Sequence, residues 1–334
     1  MYRTKKGLLL AKIESVYGTD PTPSASANAI ACVAGEVNWS PNFERLSRMI
    51  ADGTTSKVTG YNVQPTVSLS FTVELRGNYT NGSTDTDITS GASAQAVEID
   101  CLLAACDLAA TYTAETTNGA RDGYVTYKPT TPDNEGSSVT FYFYRNGKLH
   151  KVTGAKGTVK GTFEAGKIAR LEFTFSGLWN TPTDAAIPGP ITWLATKPPL
   201  FRASTATVGS WSPVFRTLTF DLGNNVVRRD DGNATAGVRG FVITGRNPRL
   251  TIDAEAVVEA THPILGDLYA STSRSIAATL GSQGGNKVNL TCVGESIAAP
   301  YGDANEIVTH GIEYELCRAA LSDTANSEFA LKFF

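Results

Sequence analysis

The sequence has little histidine, few cysteines and none of the short motifs that mark common catalytic or metal sites. Its three histidines, His150, His262 and His310, are far apart and outside any HExxH or HxH pattern, so no zinc site is indicated. The five cysteines form no CxxC pair, and we expect reduced, buried thiols. No GxSxG elbow is present to supply a hydrolase nucleophile. We therefore predict that the protein is not an enzyme and uses no metal or cofactor.

An excess of one charge and a long apolar run are also missing. The formal net charge is −3, which leaves no basic surplus to hold DNA phosphates along a whole face. The apolar run at residues 8–11 is interrupted by Lys12, whereas a membrane span needs about 20 residues and a secretory signal needs a longer apolar stretch. We expect a soluble protein with no membrane partner and no sequence-specific DNA binding.

What the sequence does contain is a regular alternation of apolar and polar residues. In residues 65–75 the odd positions are apolar and the even positions are polar, and residues 169–176 repeat the pattern. This period of two is typical of strands with one dry and one wet face. The abundance of Gly, Thr and Ser agrees with strands and turns, so the sequence predicts a mainly β fold.

The second half of the sequence repeats the plan of the first. Residues 248–255 alternate like residues 65–72. Apolar residues at helical spacing predict a helix over 94–108 in the first half, and a shorter helix over 263–269 takes its place in the second. A tandem duplication explains both matches, and chance similarity between β patterns is the alternative.

This organisation predicts two tandem β-sandwich or barrel domains, each flanked by one α-helix. The expected divisions are an N-terminal arm with the first strand at 1–36, a first domain at 37–180, a Pro-rich linker at 181–214 and a second domain at 215–334. Each half supplies enough alternating strands for its own core.

A possible phosphate-binding loop is the one catalytic-looking motif. Residues 161–167 match the Gly-x4-Gly-Lys core, but Ile168 stands where a Ser or Thr would reach Mg²⁺. A strand is predicted to follow, where phosphate binding needs a helix N-terminus. A hairpin turn is the better interpretation.

The segment at residues 12–23 is the most specific feature of the sequence. It reads Lys-Ile-Glu-Ser-Val-Tyr-Gly-Thr-Asp-Pro-Thr-Pro. It resembles the opening of a family of phage tail tube proteins, in which a Lys-x-Glu-Ser/Thr-x-Tyr-Gly-Thr-x-Pro-x-Pro stretch precedes an apolar strand and then an arginine-bearing loop. Here that loop would contain Arg45 and Arg48. The resemblance implies a β-sandwich or small barrel flanked by one helix, and subunits that stack as rings around a DNA conduit.

The resemblance also implies a function and partners. The protein would be a structural subunit of the virion tail, assembled in the host cytoplasm, with tape-measure, tail terminator and distal tail proteins as partners and with DNA passing through unbound. Tail tubes of this type usually have sixfold rings, so two tube domains per chain predict about three chains per ring with pseudo-sixfold symmetry. A two-domain β-sandwich binding module, such as an adhesin or a virion decoration protein, is the alternative function.

Contacts between subunits are predicted at two loops and at the N-terminal arm. The loops at 41–61 and 224–239 are long and carry paired arginines that could bind a neighbour's carboxylates, while the arm offers apolar anchors. A solvated loop and an edge strand packed on its own domain are the respective alternatives. The candidate contact residues are Arg45, Arg48, Arg228, Arg229, Tyr17 and Leu9.

The wet face of the strands is predicted to line the tube. If the odd residues of 65–75 point into the core, the even ones form the opposite face. A mildly negative wall would let DNA phosphates slide past, because it lacks the cations whose contacts hold phosphate. An ordinary solvated face, with acids serving solubility, is the alternative. The candidate lumen-facing residues are Glu74, Glu172, Asp253, Glu255, Glu259, Glu313 and Glu315.

Overall fold

The computed structural model describes residues 6–77, 97–113, 123–193, 196–202, 204–282, 285–318 and 320–334. Strands account for 55% of the residues and helices for 4%, which confirms the predicted fold class. In the first half the elements are β1 (Gly7–Ile13), β2 (Ala29–Ile30), β3 (Asn38–Arg48), β4 (Val58–Glu74), α1 (Asp100–Ala104), β5 (Leu108–Thr113), β6 (Tyr124–Pro129), β7 (Val139–Arg145), β8 (Lys148–Glu164), β9 (Arg170–Trp179) and β10 (Thr183–Asp184).

The second half of the described chain continues with a similar series. Its elements are β11 (Thr205–Val208), β12 (Phe215–Asp221), β13 (Asn224–Asp230), β14 (Val238–Arg246), β15 (Arg249–Glu255), α2 (Ile264–Ala270), β16 (Ser273–Leu280), β17 (Val288–Ala298), β18 (Tyr301–Ala304), β19 (Ile307–Leu316) and β20 (Phe329–Phe333).

Alternation along β4 and β9 builds the centre of the core. The odd-numbered residues at 67–73 in β4 and at 171–177 in β9 are buried, while the even-numbered residues between them are half-buried or exposed. The rings of Phe71, Phe173 and Phe175 stack with centroids 5.7–6.0 Å apart. One dry face per strand is what the sequence pattern predicts.

The two halves use the same order of strand pairing. In the first half the order is β3, β4, β9, β8, β7 and β1. In the second half it is β12, β15, β19, β17, β16 and β11. In each half the chain forms its helix directly after the second strand of this order: α1 follows β4, and α2 follows β15.

Both halves also carry a long hairpin that bends at the same place. In the first half, β4 bends where Gln64 adopts a positive φ of 51° before Pro65. In the second half the bend lies at Gly223, with a φ of 61°, between β12 and β13. On the returning side it lies at Asn247, before Pro248, between β14 and β15. Beyond each bend the hairpin is a two-stranded ribbon, and the second ribbon contacts β8 and β9. We call these distal parts the first hairpin (44–63) and the second hairpin (224–246).

Edge pairing joins the halves into one sheet. The end of β8 pairs with β12, with Lys160 opposite Asp221 and Glu164 opposite Thr217, and β20 pairs with both β17 and β6. The aromatic core crosses this junction, since the Phe163 and Phe220 rings lie 6.1 Å apart. The predicted linker at 181–214 contains β10, which pairs with β8, and β11, which pairs with β16.

The structure differs from the predictions in one helix and two loops. The first helix spans only Asp100–Ala104, because Asp107 turns the chain with a φ of 56° and β5 starts at Leu108; residues 94–96 lie outside the described part. The predicted loops at 41–61 and 224–239 are hairpins. In the first hairpin both faces of β3 meet solvent, so apolar and polar residues do not alternate there. In the second hairpin Val238 and Phe241 are buried and β14 contacts β8 and β9, a long-range packing that local alternation does not reveal.

Candidate assembly surfaces

The strands of the continuous sheet share one polar face. Across β9, β8, β12, β15 and β19 the paired residues are Glu172, Lys160, Asp221, Arg249 and Glu315. Residues directly opposite each other in antiparallel strands point to the same side, so these side chains form one row of alternating charge. The neighbouring rows add Glu74, Asp253, Glu255 and Glu313, together with Arg170 and Arg216. Carboxylates outnumber cations among these residues.

Six of the seven predicted lumen residues therefore lie on one face, and the seventh does not. Glu259 follows the end of β15 at Glu255, and its carboxylate accepts hydrogen bonds from the N–H groups of Leu265 (3.1 Å) and Gly266 (3.3 Å) at the start of α2. The expectation that Glu259 continues the alternation of β15 was wrong, because the strand ends at Glu255. At position 259 the carboxylate instead accepts from free helix N–H groups, and its place relative to a lumen stays a prediction.

Ion pairs on the polar face leave part of its acid uncompensated. Arg249 contacts Glu313 at 2.5 Å, and Arg216 contacts Asp253 at 2.9 Å. Glu315 lies opposite Glu295 as well as Arg249. These pairs are exposed or half-exposed, so each contributes little stability, and their main consequence is the electrostatic character of the face.

The buried ion pair between Lys156 and Asp107 belongs to a different environment. The Lys156 side chain is fully buried and its Nζ lies 3.5 Å from Asp107 Oδ1. Burial lowers the pKa of Lys156 and raises the pKa of Asp107, while their mutual attraction opposes both changes. The pair is a structural feature of the first half and offers no surface for assembly.

The arginines of the two hairpins contact acids and amides of their own chain. Arg45 donates to Asn62 (3.1 Å), and Arg48 lies 6.0 Å from the centre of the Tyr61 ring. Arg228 contacts Asp230 at 2.8 Å and Glu44 of the first hairpin at 3.9 Å, so the hairpins lie side by side. These side chains remain partly exposed.

Arg229 of the second hairpin pairs with a carboxylate of the first half. It pairs with Glu135, which Arg239 also approaches at 3.6 Å. Both arginines belong to the second hairpin, so Glu135 ties that hairpin to the body of the chain. The side chains of Arg228 and Arg229 are similarly exposed, at 36% and 38%.

The N-terminal segment is integrated into its own chain rather than extended as an arm. Strand β1 pairs along its whole length with β7, and Leu9 is only 2% exposed in the core. A neighbouring subunit would find almost no Leu9 surface to cover, so the alternative of an edge strand packed on its own half describes this segment better.

Glu14 anchors the segment that carries the sequence motif. Its buried carboxylate accepts hydrogen bonds from Ser138 Oγ (2.6 Å), Thr140 Oγ1 (2.5 Å) and the N–H groups of Gly18 (2.7 Å) and Gly154 (2.8 Å). A buried carboxylate is stable only when its oxygens are satisfied in this way. The motif glutamate thus fixes the path of the chain after β1.

Tyr17 connects this segment to both halves. Its hydroxyl donates to the Gly154 carbonyl (2.8 Å) in β8 and accepts from the Phe241 N–H (2.6 Å) in β14. A Cβ at Gly154 or Gly240 would collide with the Tyr17 ring, and burial raises the pKa of Tyr17 to about 12. The predicted contact residue is therefore an internal bridge, whose glycine partners lie 137 to 223 residues away in the sequence.

The phosphate-loop-like stretch has the geometry of a hairpin. The Gly-x4-Gly-Lys stretch forms the end of β8 and the hairpin turn into β9, which confirms the turn interpretation. Among the described residues no group of three or more His, Cys, Asp or Glu side chains is arranged to hold a metal ion. No helix within the described ranges is long and apolar enough to cross a membrane.

Comparison with known proteins identifies a family for the chain. A family model described as "Phage tail tube protein" matches residues 4–316, which is nearly the whole chain. No curated protein matches the sequence.

Proposed function

Because the chain belongs to the phage tail tube protein family, we propose that three copies close into a pseudo-sixfold ring and that stacked rings form the conduit for DNA delivery. Membership of this structural family makes the protein a self-assembling component of the virion tail. The observation that carries the ring proposal is the repeated order of strand pairing, with the two halves joined edge to edge by β8 and β12.

The internal junction suggests how one copy meets the next. In the order of pairing, β3 of the first half corresponds to β12, and the β17–β18 strand of the second half corresponds to β8. Among the described residues β3 pairs only with β4, and β18 only with β19, so both edges are free. Pairing β18 of one copy with β3 of the next would repeat the internal junction, and such a heterologous contact closes a ring when its rotation divides a full turn.

The same reasoning supports two structural units in the chain. We keep the divisions at 37–180 and 215–334, and assign β11 to the second unit because it occupies the place that β1 has in the first. An experimental structure in which these units failed to superpose, strand for strand, would contradict the duplication.

Ring formation can be tested by native mass spectrometry together with negative-stain microscopy. We expect hollow tubes, and rings with three times the 35.4 kDa mass of the chain. Six copies per ring would contradict the stoichiometry, and compact monomers would favour the binding or decoration protein. A single-domain reading predicts six copies, so the mass alone decides between the two arrangements.

We further propose that the polar face lines the lumen and that the two hairpins contact neighbouring subunits or rings. A three-dimensional reconstruction of the tube should place Glu255 and Glu315 on the inner wall, whereas an outer position or a lumen dominated by Lys and Arg would overturn the assignment. Deleting residues 51–56 should abolish tubes, and unchanged assembly would remove the contact role of the first hairpin.

The remaining elements of the proposal follow from the family alone. Assembly in the host cytoplasm, and contacts with tape-measure, tail terminator and distal tail proteins, would be expected of a tube subunit. Co-purification of tubes with each candidate from infected cells is the direct test. No catalytic role is proposed, and DNA is expected to pass without specific binding.

A further inference from the structure

The second hairpin packs on the first half of its own chain. The side-chain amide of Asn224 donates to the carbonyl of Cys106 (2.8 Å), which follows α1, and to the carbonyl of Gly157 (3.0 Å) in β8. Strands β13 and β14 both contact β8, and β14 also contacts β9. Val238 and Phe241 of this hairpin are only 3% and 7% exposed. A contact between a hairpin and the neighbouring half is thus already part of the single chain.

The first hairpin lacks a comparable support within its own chain. All of its residues, 44–63, are described, and none of them is buried. Its surface mixes large apolar side chains with charged ones. The apolar residues are Leu46, Met49, Ile50 and Tyr61, between 48% and 96% exposed, and the charged ones are Glu44, Arg45, Arg48, Asp52 and Lys57. Of two equivalent hairpins, one is packed and the other is not.

The internal repeat identifies the corresponding site on the second half. The chain leaves α1 and α2 at a residue with left-handed backbone, at Asp107 with a φ of 56° and at Ser271 with a φ of 50°. The residue before Asp107 is Cys106, whose carbonyl accepts from the second hairpin. The residue before Ser271 is Ala270, so Ala270 marks the equivalent site in the second half.

The first hairpin has Glu44 where the second has Asn224. Each is paired with the residue that lies two positions before the proline beyond the bend, Val63 in the first half and Arg246 in the second. A contact equivalent to the internal one therefore brings Glu44 of one copy to Ala270 of another.

Positions that are buried at this site in the first half are open in the second. Ala105 and Cys106 are both 0% exposed. Their counterparts, counted back from the left-handed residue, are Tyr269, which is 95% exposed, and Ala270, which is also exposed. Ile297, near the end of the strand that α2 contacts, is 39% exposed. The second half thus exposes a large aromatic side chain where the first half has a covered alanine.

We propose that the first hairpin of each copy packs against the end of α2 in the second half of the preceding copy of its ring. The partner is a second copy of this chain, and the inference rests on the proposed ring, in which β3 of one copy pairs with β18 of the copy before it. Pairing of β12 with β8 carries the second hairpin onto the first half. Pairing of β3 with β18 carries the first hairpin onto the second half in the same way.

The hairpins then form one continuous row around the ring. Within a copy, Arg228 of the second hairpin contacts Glu44 of the first at 3.9 Å, so these two already lie side by side. The first hairpin of the next copy takes the corresponding place beside the second hairpin.

The contact between copies differs in chemistry from the internal one. Glu135, which pairs with Arg229 and Arg239 of the second hairpin, lies in the connection from β6 to β7. In the second half α2 leads directly to β16, so this connection has no counterpart there. The contact between copies therefore depends more on burial of apolar side chains such as Tyr269.

Cysteine crosslinking of the assembled protein tests the contact. In a mixture of Glu44→Cys chains and Ala270→Cys chains, we expect a bis-maleimide of short span to give covalent dimers. Either chain alone should give only the background from the native cysteines. The double variant Glu44→Cys/Ala270→Cys should extend the products to trimers and no further, because a contact within a ring of three copies closes on itself.

The other outcomes separate this inference from the proposed function. A ladder that continues beyond the ring size would place the first hairpin against another ring, and a yield no higher than background would show no contact; either result overturns the inference. Products that end at six copies would keep the contact and overturn the three-copy ring. Unmodified protein that forms neither rings nor tubes would overturn the proposed function, and this inference with it.

A substitution at the open position gives a second readout. Tyr269→Glu should raise the concentration needed for ring formation about tenfold, because the contact would then bury a carboxylate next to Glu44. Tyr269→Phe keeps the aromatic ring and, as the matched control, should change this concentration less than about threefold. Both variants should keep the urea midpoint of the unmodified chain, since Tyr269 is exposed. Equal assembly of the two variants, followed by native mass spectrometry, would contradict the contact.

Discussion

The two halves anchor the same part of their fold with different chemistry. After β1, the first half fixes the chain with the buried Glu14 carboxylate and its four donors. After β11, the second half fixes it with the Trp211 ring, stacked on His262 at 4.4 Å. The strand order is identical in both, so pairing determines the architecture and the anchors are free to differ.

The difference matters because polar and aromatic anchors fail differently. A buried carboxylate with several donors allows one geometry, and its removal leaves each donor without a partner. An aromatic stack is stabilised by burial and tolerates small shifts in position. Substitutions in the two halves therefore test whether the first half depends on a polar network to a degree that the second does not.

Removing the Glu14 carboxylate should have the largest effect. Glu14→Ala leaves two hydroxyls and two backbone N–H groups without their acceptor, and we expect a loss of about 4 kcal/mol in the free energy of unfolding. The measurement is urea unfolding at a protein concentration below that of assembly, since assembly stabilises the folded chain. Glu36→Ala, an exposed acid of the same half, is the control and should cost less than about 0.5 kcal/mol. A loss below about 1 kcal/mol for Glu14→Ala would show that pairing of β1 alone fixes the segment.

The buried ion pair provides the next comparison. Lys156 has no charged counterpart in the second half, where the corresponding residue in the hairpin is Ala298. Lys156→Ala should lower the free energy of unfolding by about 3 kcal/mol, because it leaves the buried Asp107 carboxylate without its cation. The double variant Lys156→Met/Asp107→Asn should recover most of this loss. Equal losses in the single and double variants would show that packing, rather than the charge pair, stabilises the site.

The Tyr17 hydroxyl tests the bond between the halves themselves. Tyr17→Phe keeps the ring between Gly154 and Gly240 but removes hydrogen bonds to β8 and β14, so we expect a loss of about 1.5 kcal/mol. Hydrogen exchange should report faster exchange at Phe241, whose N–H loses its acceptor. Tyr61→Phe on the exposed first hairpin is the control. Unchanged protection of Phe241 would mean that the second hairpin is held by Glu135 and its arginines alone.

The sequence predicts the strands that have one dry face and misses those that do not. Alternation in β4, β9 and β15 is local information, and it also places Glu74, Glu172 and Asp253 on the polar face. The first hairpin has solvent on both sides of β3, so nothing periodic marks it. The second hairpin packs on the first half through Phe241 and Arg229, contacts that depend on the fold. Strand β11 lies in Pro-rich sequence and is held by pairing with β16, a contact that local pattern cannot reveal.

The motif segment shows the same limit for individual residues. The residue types of this segment are visible in the sequence, but the partners of Glu14 and Tyr17 lie up to 224 residues away. The sequence therefore cannot distinguish an exposed arm from a buried anchor. The useful signals were Gly154 and Gly240, whose lack of a side chain makes room for the Tyr17 ring. Only the fold brings these positions together.

A pH titration should give the smallest effect and compares the two Trp–His contacts. His262 is buried against Trp211, and burial lowers its pKa, partly opposed by Asp267. The His150 ring lies 4.4 Å from the Trp39 ring at a tilt of 43°, and burial together with Lys148 and Arg145 lowers its pKa too. As the pH falls, histidines of the unfolded chain, with pKa values of about 6.5, therefore take up protons at a higher pH than those of the folded chain. Stability is fully present above that value and falls as the pH drops from there towards the folded pKa.

Substituting each histidine separately measures its contribution to the pH dependence of stability. In urea unfolding between pH 7.5 and pH 5.0, His262→Gln and His150→Gln should each reduce the loss of stability on acidification, because a glutamine takes up no proton. His262 is the more deeply buried ring, but the Asp267 carboxylate favours its charged form. The charged groups that act on His150 are the cations Lys148 and Arg145, which disfavour its charged form. We therefore expect the two substitutions to flatten the slope by similar amounts. A flattening confined to His150→Gln would mean that Asp267 offsets the effect of burial on the pKa of His262. The stability contributed by His262 would then be independent of pH, whereas that contributed by His150 would not.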